Sequence, residues 1–152
     1  MTQQTESLET SLPHGNAVQQ GGPRRWLPMR SLNSTHREEV CKHLLALNTS
    51  DRVLRFAHAA SDDQIRHYAE QIDYANDEVF GVFDRRLELV AMAHLAFAHD
   101  GLSAEFGVSV LARVRGRGFG ARLFEHAVMH ARNRGVSTMV IYVARDNEPM
   151  LS

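Results

Sequence analysis

The sequence has little of several features that define other classes of protein. Its 152 residues include one cysteine, Cys41, which excludes an internal disulfide framework and a cysteine-rich zinc site and suits a reducing compartment. No apolar run reaches the roughly 18 residues that a membrane-spanning helix needs. The net charge is −1, so no overall field favours nucleic acid or a membrane surface. We therefore expect a cytoplasmic protein that binds neither.

Lysine is equally scarce, because Lys42 is the only one and every other basic side chain is an arginine or a histidine. The chain is 43% hydrophobic and 23% charged, which is typical of globular proteins. Residues 1–22 are rich in Gln, Ser, Thr and Gly without apolar periodicity, and such a segment buries too little apolar surface to offset its ordering entropy. We predict a disordered tail over 1–22 and one domain over 23–152.

The pattern of apolar residues predicts a mixed α/β fold. Three antiparallel strands precede a strand–loop–helix–strand unit, which needs a parallel pair because a helix joins its two strands. The Asp-Gly pair at 100–101 predicts a tight turn. The predicted elements are strands over 26–30, 78–84, 87–98, 102–110 and 137–144, and helices over 35–48 with Ser34 as N-cap, 62–72 with Ser61 as N-cap, 121–134, and from Asn147 onward.

The segment Arg115–Ala121, called the glycine loop below, lies between a predicted strand and a predicted helix. Its three glycines permit backbone conformations that a Cβ atom forbids, and they let a ligand approach the main chain. At the start of a helix the unpaired N–H groups and the positive end of the dipole form a seat for an anion. Arg115 and Arg117 add charged donors. This arrangement predicts a phosphate or pyrophosphate ligand.

The same segment resembles the signature Q/R-x-x-G-x-G/A of the GNAT superfamily of acyl-CoA-dependent N-acetyltransferases, through Arg115, Gly118 and Gly120. The flanking segments VSV, ARNRG, MVIYV and DNEPM are also similar to that family. Upstream, SDRVLRF and SDDQIRHYAEQID resemble the first two helices of a bacterial subgroup. The resemblance implies a GNAT-like fold and acetyl transfer from acetyl-CoA directly to a primary amine, with no metal.

The resemblance also implies roles for particular residues. Main-chain groups of Val108 and Val110 would bind the pantetheine arm, as would Asn147, and Glu105 would act as general base on the amine. The coenzyme pyrophosphate would lie on the glycine loop, whose residues are Arg115, Gly116, Arg117, Gly118, Phe119, Gly120 and Ala121. Among acceptors, lysine side chains, protein N-termini, polyamines and small metabolites all remain open.

The sequence departs from the family near its C-terminus. The family usually has a tyrosine, acting as acid toward the leaving thiolate, about two turns into the helix that begins here near Asn147, and this sequence ends at Ser152. The rest of that helix and the final two strands are missing as well. We therefore expect a domain that is incomplete at its C-terminus, with an open sheet edge near 137–144 that favours self-association. The alternative function is a catalytically impaired acyl-CoA-binding module.

Other interpretations of the same residues stay open. Gly116-x-Gly118-x-x-Ala121 also fits the dinucleotide fingerprint, although a Rossmann fold needs more βα units after it than this chain supplies. Arginine–glycine clusters also occur in RNA-binding segments, although those are repetitive. A carboxylate such as Glu105 on a half-exposed strand is often simply solvated. His126 and His130 have the i, i+4 spacing of metal ligands, although a polar helix face explains them as well.

Overall fold

The computed structural model describes the backbone of residues 4–11 and 27–145 and the side chains of residues 27–141. The strands are β1 (Gln4–Ser11), β2 (Met29–Ser31), β3 (Glu78–Phe83), β4 (Leu89–Phe97), β5 (Ser103–Val110) and β6 (Thr138–Arg145). The helices are α1 (Arg37–Leu45), α2 (Thr49–Phe56), α3 (Asp62–Gln71) and α4 (Phe119–Asn133), with single 3-10 turns at Ser34–His36 and Ala112–Val114.

The six strands form one mixed sheet in the order β1-β6-β5-β4-β3-β2. Strands β2 to β5 pair antiparallel, whereas β5 and β6 pair parallel across the helix α4. The predicted Asp-Gly turn joins β4 to β5 with Gly101 at φ 73°, a conformation that glycine adopts without strain. The predicted fold class, a mixed α/β sheet with one parallel unit, is confirmed.

Two hydrophobic layers cover the two faces of the sheet. Helix α4 buries its apolar stripe, Leu123, Ala127 and Ala131, against the sheet, and Phe80 lies in the same cluster. The helices α1 and α3 bury a second cluster on the opposite face. Successive side chains of a strand point to opposite faces, so Ala93 of β4 belongs to the α4 layer. Met92 and His94, on either side of Ala93, face the layer of α1 to α3.

Helix α2 was predicted only through the family resemblance, and Arg52 shows what holds it in place. The Arg52 guanidinium donates to the carbonyls of Leu45, Leu47 and Ala60 at 2.8–3.0 Å. It therefore satisfies carbonyl groups at the end of α1 and before α3, groups that helix ends leave without intrahelical partners. The Arg52 side chain, which is 15% exposed, therefore joins α2 to the end of α1 and to the segment before α3.

The predicted helix caps were correct for α3 and wrong for α1. The Ser61 hydroxyl accepts from the Gln64 N–H, and the Gln64 side chain accepts from the Ser61 N–H, which is a capping box. At the first helix the cap is Asn33 rather than Ser34, and it begins a 3-10 turn before α1. Asparagine and serine cap helices equally well, so the two neighbours could not be separated from the sequence.

The prediction of a disordered tail over 1–22 was wrong for Gln4–Ser11. This segment forms β1, which pairs antiparallel with the whole of β6 from Gln4↔Arg145 to Ser11↔Thr138. The prediction weighed only apolar burial, but a strand can add to a free sheet edge through its main-chain hydrogen bonds. The edge near 137–144 that we expected to be open is therefore covered by β1. The other tail residues, and the predicted helix from Asn147, lie outside the described residues.

Within the described part of the chain, none of the helices has both the length and the apolar character needed to cross a membrane.

Candidate functional site

The strands β5 and β6 pair over only part of their length. The parallel pairs run from Ser103↔Thr138 to Phe106↔Ile141, although β5 continues to Val110 and β6 to Arg145. On its other side β5 remains paired with β4 as far as Val110. Within the described chain, the main-chain groups of β5 beyond Phe106 that point toward β6 thus lack a strand partner. We call this gap the β5–β6 opening.

Val108 and Val110, the residues predicted to hold pantetheine, lie on the β5 side of this opening. Both side chains pack partly against the α4 layer, and their main-chain groups border the opening, where an extended ligand could reach them. A strand edge without a partner binds an extended chain through alternating N–H and C=O groups. The structure thus provides the kind of edge that the predicted contact requires.

The glycine loop follows β5 directly and leads into α4. Gly116 has φ 80°, and Gly118 has φ 83° and is the N-cap of α4. The first hydrogen bond of the helix runs from the Arg122 N–H to the Gly118 carbonyl at 3.1 Å. The N–H groups of Phe119, Gly120 and Ala121 precede that bond and have no intrahelical acceptor. Three donors at the positive end of a 15-residue helix form an anion seat.

The space beside two glycines of the glycine loop is open. A Cβ atom built on Gly116 or on Gly120 would meet nothing within 4 Å. Phe119, by contrast, is buried in the α4 layer, so it offers a ligand its main-chain N–H and not its ring. The Ala121 and Arg117 side chains are exposed. The loop therefore presents backbone donors and one free arginine side chain at an accessible surface.

The side chain of Arg115, predicted to donate to a phosphate, has a partner within the protein. Its guanidinium forms a very short ion pair with Asp51 on α2, a carboxylate that is only 7% exposed, while Arg115 itself stays 54% exposed. A guanidinium has five N–H donors, so contact with Asp51 leaves others for a second anion. Arg115 thus connects the glycine loop to α2 in addition to any role toward a phosphate.

A cleft of about 280 Å³ lies beside the β5–β6 opening, between that opening and the helices α2 and α3. We call it the central cleft. Glu105, the predicted general base, lies in it and is exposed. The lining residues are Leu54, Arg55, Tyr68, His94, Ala96, Glu105, Phe106, Gly107, Val108 and Ile141. A carboxylate in such a cleft can attract an ammonium group and accept a proton from it.

The central cleft also contains a chain of hydrogen bonds that the sequence did not predict. The Tyr68 hydroxyl lies 2.5 Å from Nδ1 of His94, and Nε2 of His94 lies 2.9 Å from Oδ2 of Asp77. A carboxylate only accepts, so Nε2 of the neutral imidazole carries the proton and donates it to Asp77. Nδ1 is then the acceptor, and the Tyr68 O–H donates to it.

The surroundings keep this chain in its uncharged form apart from Asp77. Burial lowers the pKa of His94 from its ordinary value, and the nearby Arg55 charge adds to that effect, while the Asp77 carboxylate opposes it. Burial raises the pKa of the Tyr68 phenol, although the Arg55 charge and hydrogen bond act in the opposite direction. At neutral pH the pair is therefore a phenol and a neutral imidazole.

Arg55 occupies a place that only a glycine neighbour permits. Its guanidinium donates to the Tyr68 oxygen at 2.5 Å and lies over the Tyr68 ring, 5.1 Å from the centroid. A Cβ atom on Gly107 would lie 2.4 Å from the Arg55 Cζ. Gly107 of β5 therefore admits the Arg55 head group into the central cleft.

A second buried histidine on the same face has a structural role. His43 is 3% exposed; its Nδ1 lies 2.8 Å from the Leu89 carbonyl and its Nε2 lies 2.8 Å from the Ser109 hydroxyl. The carbonyl only accepts, so Nδ1–H donates to it and the Ser109 O–H donates to Nε2. Burial lowers the pKa of His43 to about 4. This neutral imidazole joins α1 to β4 and β5.

His126 and His130 contact one another on α4, with their Nε2 atoms 3.0 Å apart. Among the described residues there is no group of three or more His, Cys, Asp or Glu side chains that could hold a metal ion. The His126 ring instead packs edge-on against Phe80, with centroids 4.6 Å apart. Asn147, the remaining predicted coenzyme contact, lies outside the described residues.

The fold of the chain agrees with the comparisons with known proteins. The model of the acetyltransferase (GNAT) family matches residues 38–152, which is most of the chain. The chain belongs to the GNAT acetyltransferase family. No curated protein sequence shows a significant match.

Solved structures with the GNAT fold are similar to this chain at low sequence identity. The GNAT domain of PAT from Streptomyces lividans has 19% identity and a TM-score of 0.63, over 81% of this chain and 75% of that one. A GNAT-family acetyltransferase from Staphylococcus aureus Mu50 has 13% identity and a TM-score of 0.59, over 76% and 73%. An aminoglycoside 6′-N-acetyltransferase complexed with coenzyme A has 15% identity and a TM-score of 0.58, over 76% and 61%.

Proposed function

We propose that this GNAT-family protein transfers an acetyl group from acetyl-CoA directly to a primary amine. The observation that carries the proposal is the partial pairing of β5 and β6, next to the N-terminus of α4. One extended ligand with a diphosphate at one end fits both features, because the free strand edge binds an amide-containing arm and the helix N–H groups bind phosphate.

The residues present fit acetyl-CoA by three independent criteria. The N–H groups of Phe119, Gly120 and Ala121 precede the first helical hydrogen bond. The space at Gly116 and Gly120 is open. Main-chain groups around Val108 and Val110 border the β5–β6 opening. Arg115 and Arg117 add positive charge that favours a diphosphate.

Within this proposal the acceptor amine enters the central cleft, and Glu105 is the general base. An ammonium group cannot attack a thioester carbonyl, so a proton must leave before the C–N bond forms. The exposed Glu105 carboxylate attracts the ammonium and accepts that proton, directly or through a water molecule. A main-chain N–H near Val108 would stabilise the negative oxygen that forms on the thioester carbonyl.

In this proposal the central cleft, about 280 Å³ in volume, selects the acceptor, and small amines, polyamines, lysine side chains and protein N-termini are all candidates. With a single cysteine the sequence forms no internal disulfide, which agrees with a reducing compartment such as the cytoplasm.

The test uses the full chain, acetyl-CoA and a panel of amines consisting of free amino acids, polyamines and short peptides with a free N-terminus or a lysine. We expect release of the coenzyme thiol that depends on one class of amine, with the N-acetylated product detected by mass spectrometry. Binding of acetyl-CoA without transfer to any amine would contradict acetyl transfer and favour a non-catalytic acyl-CoA-binding module. Absence of acetyl-CoA binding would contradict both.

A further inference from the structure

Acetyl transfer to an amine requires two nitrogen protons to move, and Glu105 accounts for one of them. The ammonium loses its first proton before the attack. Once the C–N bond has formed, the nitrogen is positively charged and must lose a second proton, while the sulphur leaves as a thiolate and needs one. A group that accepts a proton from nitrogen and returns it to sulphur would complete the transfer and end unchanged.

Tyr68 and His94 line the central cleft together with Glu105. This inference rests on the proposed function, since it concerns the amine in that cleft. We propose that Tyr68, His94 and Asp77 form a proton shuttle that takes the second amine proton and delivers it to the departing thiolate.

The shuttle balances its protons at each step. As the C–N bond forms, the Tyr68 oxygen takes the proton from nitrogen while the Tyr68 proton passes to Nδ1 of His94. The imidazolium is then stabilised by the Asp77 carboxylate on Nε2. As the C–S bond breaks, Nδ1 returns its proton to the Tyr68 oxygen, and Tyr68 gives its own proton to the sulphur. The phenol, the neutral imidazole and the carboxylate are restored.

The direction of the hydrogen bonds carries this proposal. Because Asp77 accepts from Nε2, the Nδ1 lone pair of His94 faces the Tyr68 O–H at 2.5 Å. A phenol that already donates to a base accepts a new proton on its oxygen as it releases the old one. Asp77 is itself fixed, because its Oδ1 accepts from the Phe97 N–H at 3.3 Å. This resembles the arrangement of a hydroxyl, an imidazole and a carboxylate that transfers protons in other enzymes.

The charges around the shuttle favour neutral groups at rest and a transient imidazolium. Arg55 of α2 is bonded to the Tyr68 oxygen and stabilises negative charge on it. Asp77 and the nearby Glu105 of β5 both favour positive charge on His94, whereas burial and Arg55 disfavour it. The side chains of His94 and Asp77 are only 11% and 15% exposed, so bulk water has little access to the proton while it is held.

The protonation of His94 can be measured in the free protein without any substrate. In ¹⁵N-imidazole NMR of the full chain we expect His94 at pH 7 to carry its proton on Nε2, with Nδ1 unprotonated and hydrogen bonded. The His94 signals are identified by their loss in His94→Gln. A proton on Nδ1, or a charged His94 at pH 7, would overturn the shuttle.

The kinetic test uses acetyl-CoA and the amine of the panel that turns over fastest. Tyr68→Phe and His94→Gln should each lower kcat about 100-fold or more while leaving the Kd for acetyl-CoA unchanged. Matched controls are Tyr74→Phe, whose buried hydroxyl has no hydrogen-bond partner, and His67→Gln, an exposed histidine on α3. Both controls should turn over like the wild type.

The dependence of kcat on pH separates a shuttle from a packing role. Protonation of His94 blocks the shuttle, so the wild-type rate should fall at acid pH, and Asp77→Asn should move that fall to lower pH because the carboxylate raises the His94 pKa. If Tyr68→Phe and His94→Gln keep the wild-type rate and pH profile, the shuttle is overturned and acetyl transfer stands. If the wild type acetylates no amine, the proposed function fails and the shuttle with it.

Discussion

The glycine loop and the central cleft both adjoin β5, yet they are built from the chain in different ways. The glycine loop is one continuous segment, Arg115–Ala121, whose geometry follows from local rules about glycine and helix ends. The central cleft gathers Arg55, Tyr68, His94 and Glu105 from four separate elements. The proposed coenzyme site is thus local in sequence, whereas the proposed acceptor site depends on tertiary packing.

Helix α2 connects the two regions. Asp51 pairs with Arg115 of the glycine loop, and Arg55, one turn further along α2, bonds Tyr68 in the central cleft. Residues four apart lie on the same face of a helix. A movement of α2 would therefore alter both regions together, so variants that affect only one of them are the sharpest tests of the comparison.

The largest effect is expected in the central cleft, from Glu105→Gln. Loss of the carboxylate should reduce kcat/KM about 10²- to 10⁴-fold and leave the Kd for acetyl-CoA unchanged, measured by thiol release and by calorimetry. Glu125→Gln, an exposed glutamate on α4, is the control. A Glu105→Gln variant with wild-type turnover would show that Glu105 is a solvated strand carboxylate.

The largest effect on coenzyme binding is expected in the glycine loop, from Gly118→Asp. The new carboxylate lies beside the helix N–H groups and repels a diphosphate, and hydrogen bonds to charged groups contribute about 1.5–3 kcal/mol. We expect the Kd for acetyl-CoA to rise about 10- to 100-fold in calorimetry. Gly101→Asp is the control, because Gly101 also has a positive φ, 73°, in a turn distant in sequence from the loop. Equal losses from both variants would assign the effect to backbone strain.

A third prediction concerns His43 of α1 and the pH dependence of the free energy of unfolding that its burial causes. The pKa of His43 is about 4 in the folded protein and about 6.5 when unfolded, so the unfolded state binds more protons between those values. The free energy of unfolding should therefore fall by about 3 kcal/mol as the pH drops from 7 through 4, measured by urea unfolding. His43→Gln should flatten this dependence, while His67→Gln should keep it. An unchanged slope in His43→Gln would contradict a buried neutral imidazole.

The smallest effect is expected from Gly107→Ala. The new methyl group would lie 2.4 Å from the Arg55 Cζ, and because that atom ends a flexible side chain, Arg55 should move and stability should change by only about 1 kcal/mol. Tyr68 would lose its hydrogen bond from Arg55, so its pKa should rise further. ¹³Cζ-tyrosine NMR follows this titration, with Tyr74 as internal control. An unchanged Tyr68 titration would show that Arg55 stays in place.

The strands and the parallel unit were predictable because alternation and the Asp-Gly turn are local properties of the sequence. The strand β1 was not, since its pairing with β6 depends on a distant free edge and not on its own apolar content. The ion pair of Arg115 with Asp51 joins residues 64 positions apart, and no spacing rule reveals it. The carbonyl partners of Arg37 and Arg52 likewise depend on tertiary packing, and no role was predicted for these two arginines from the sequence.

One member of the hydrogen-bond chain in the central cleft, His94, could have been noticed in the sequence. His94 interrupts the apolar run of β4 on the face opposite Ala93 and Leu95, and a polar residue there needs a partner when buried. Its partners, Tyr68 and Asp77, lie 26 and 17 residues away. The need for a partner was therefore visible in the sequence, and its identity was not.

We propose that the main-chain N–H groups at the start of α4 bind the coenzyme diphosphate. Backbone amide NMR during a titration with coenzyme A tests this contact at each amide. We expect the amide signals of Gly118, Phe119, Gly120 and Ala121 to shift strongly and saturate with the bound fraction, while that of Gly101 stays in place. Saturable binding of coenzyme A that leaves those four amide signals unmoved would contradict it.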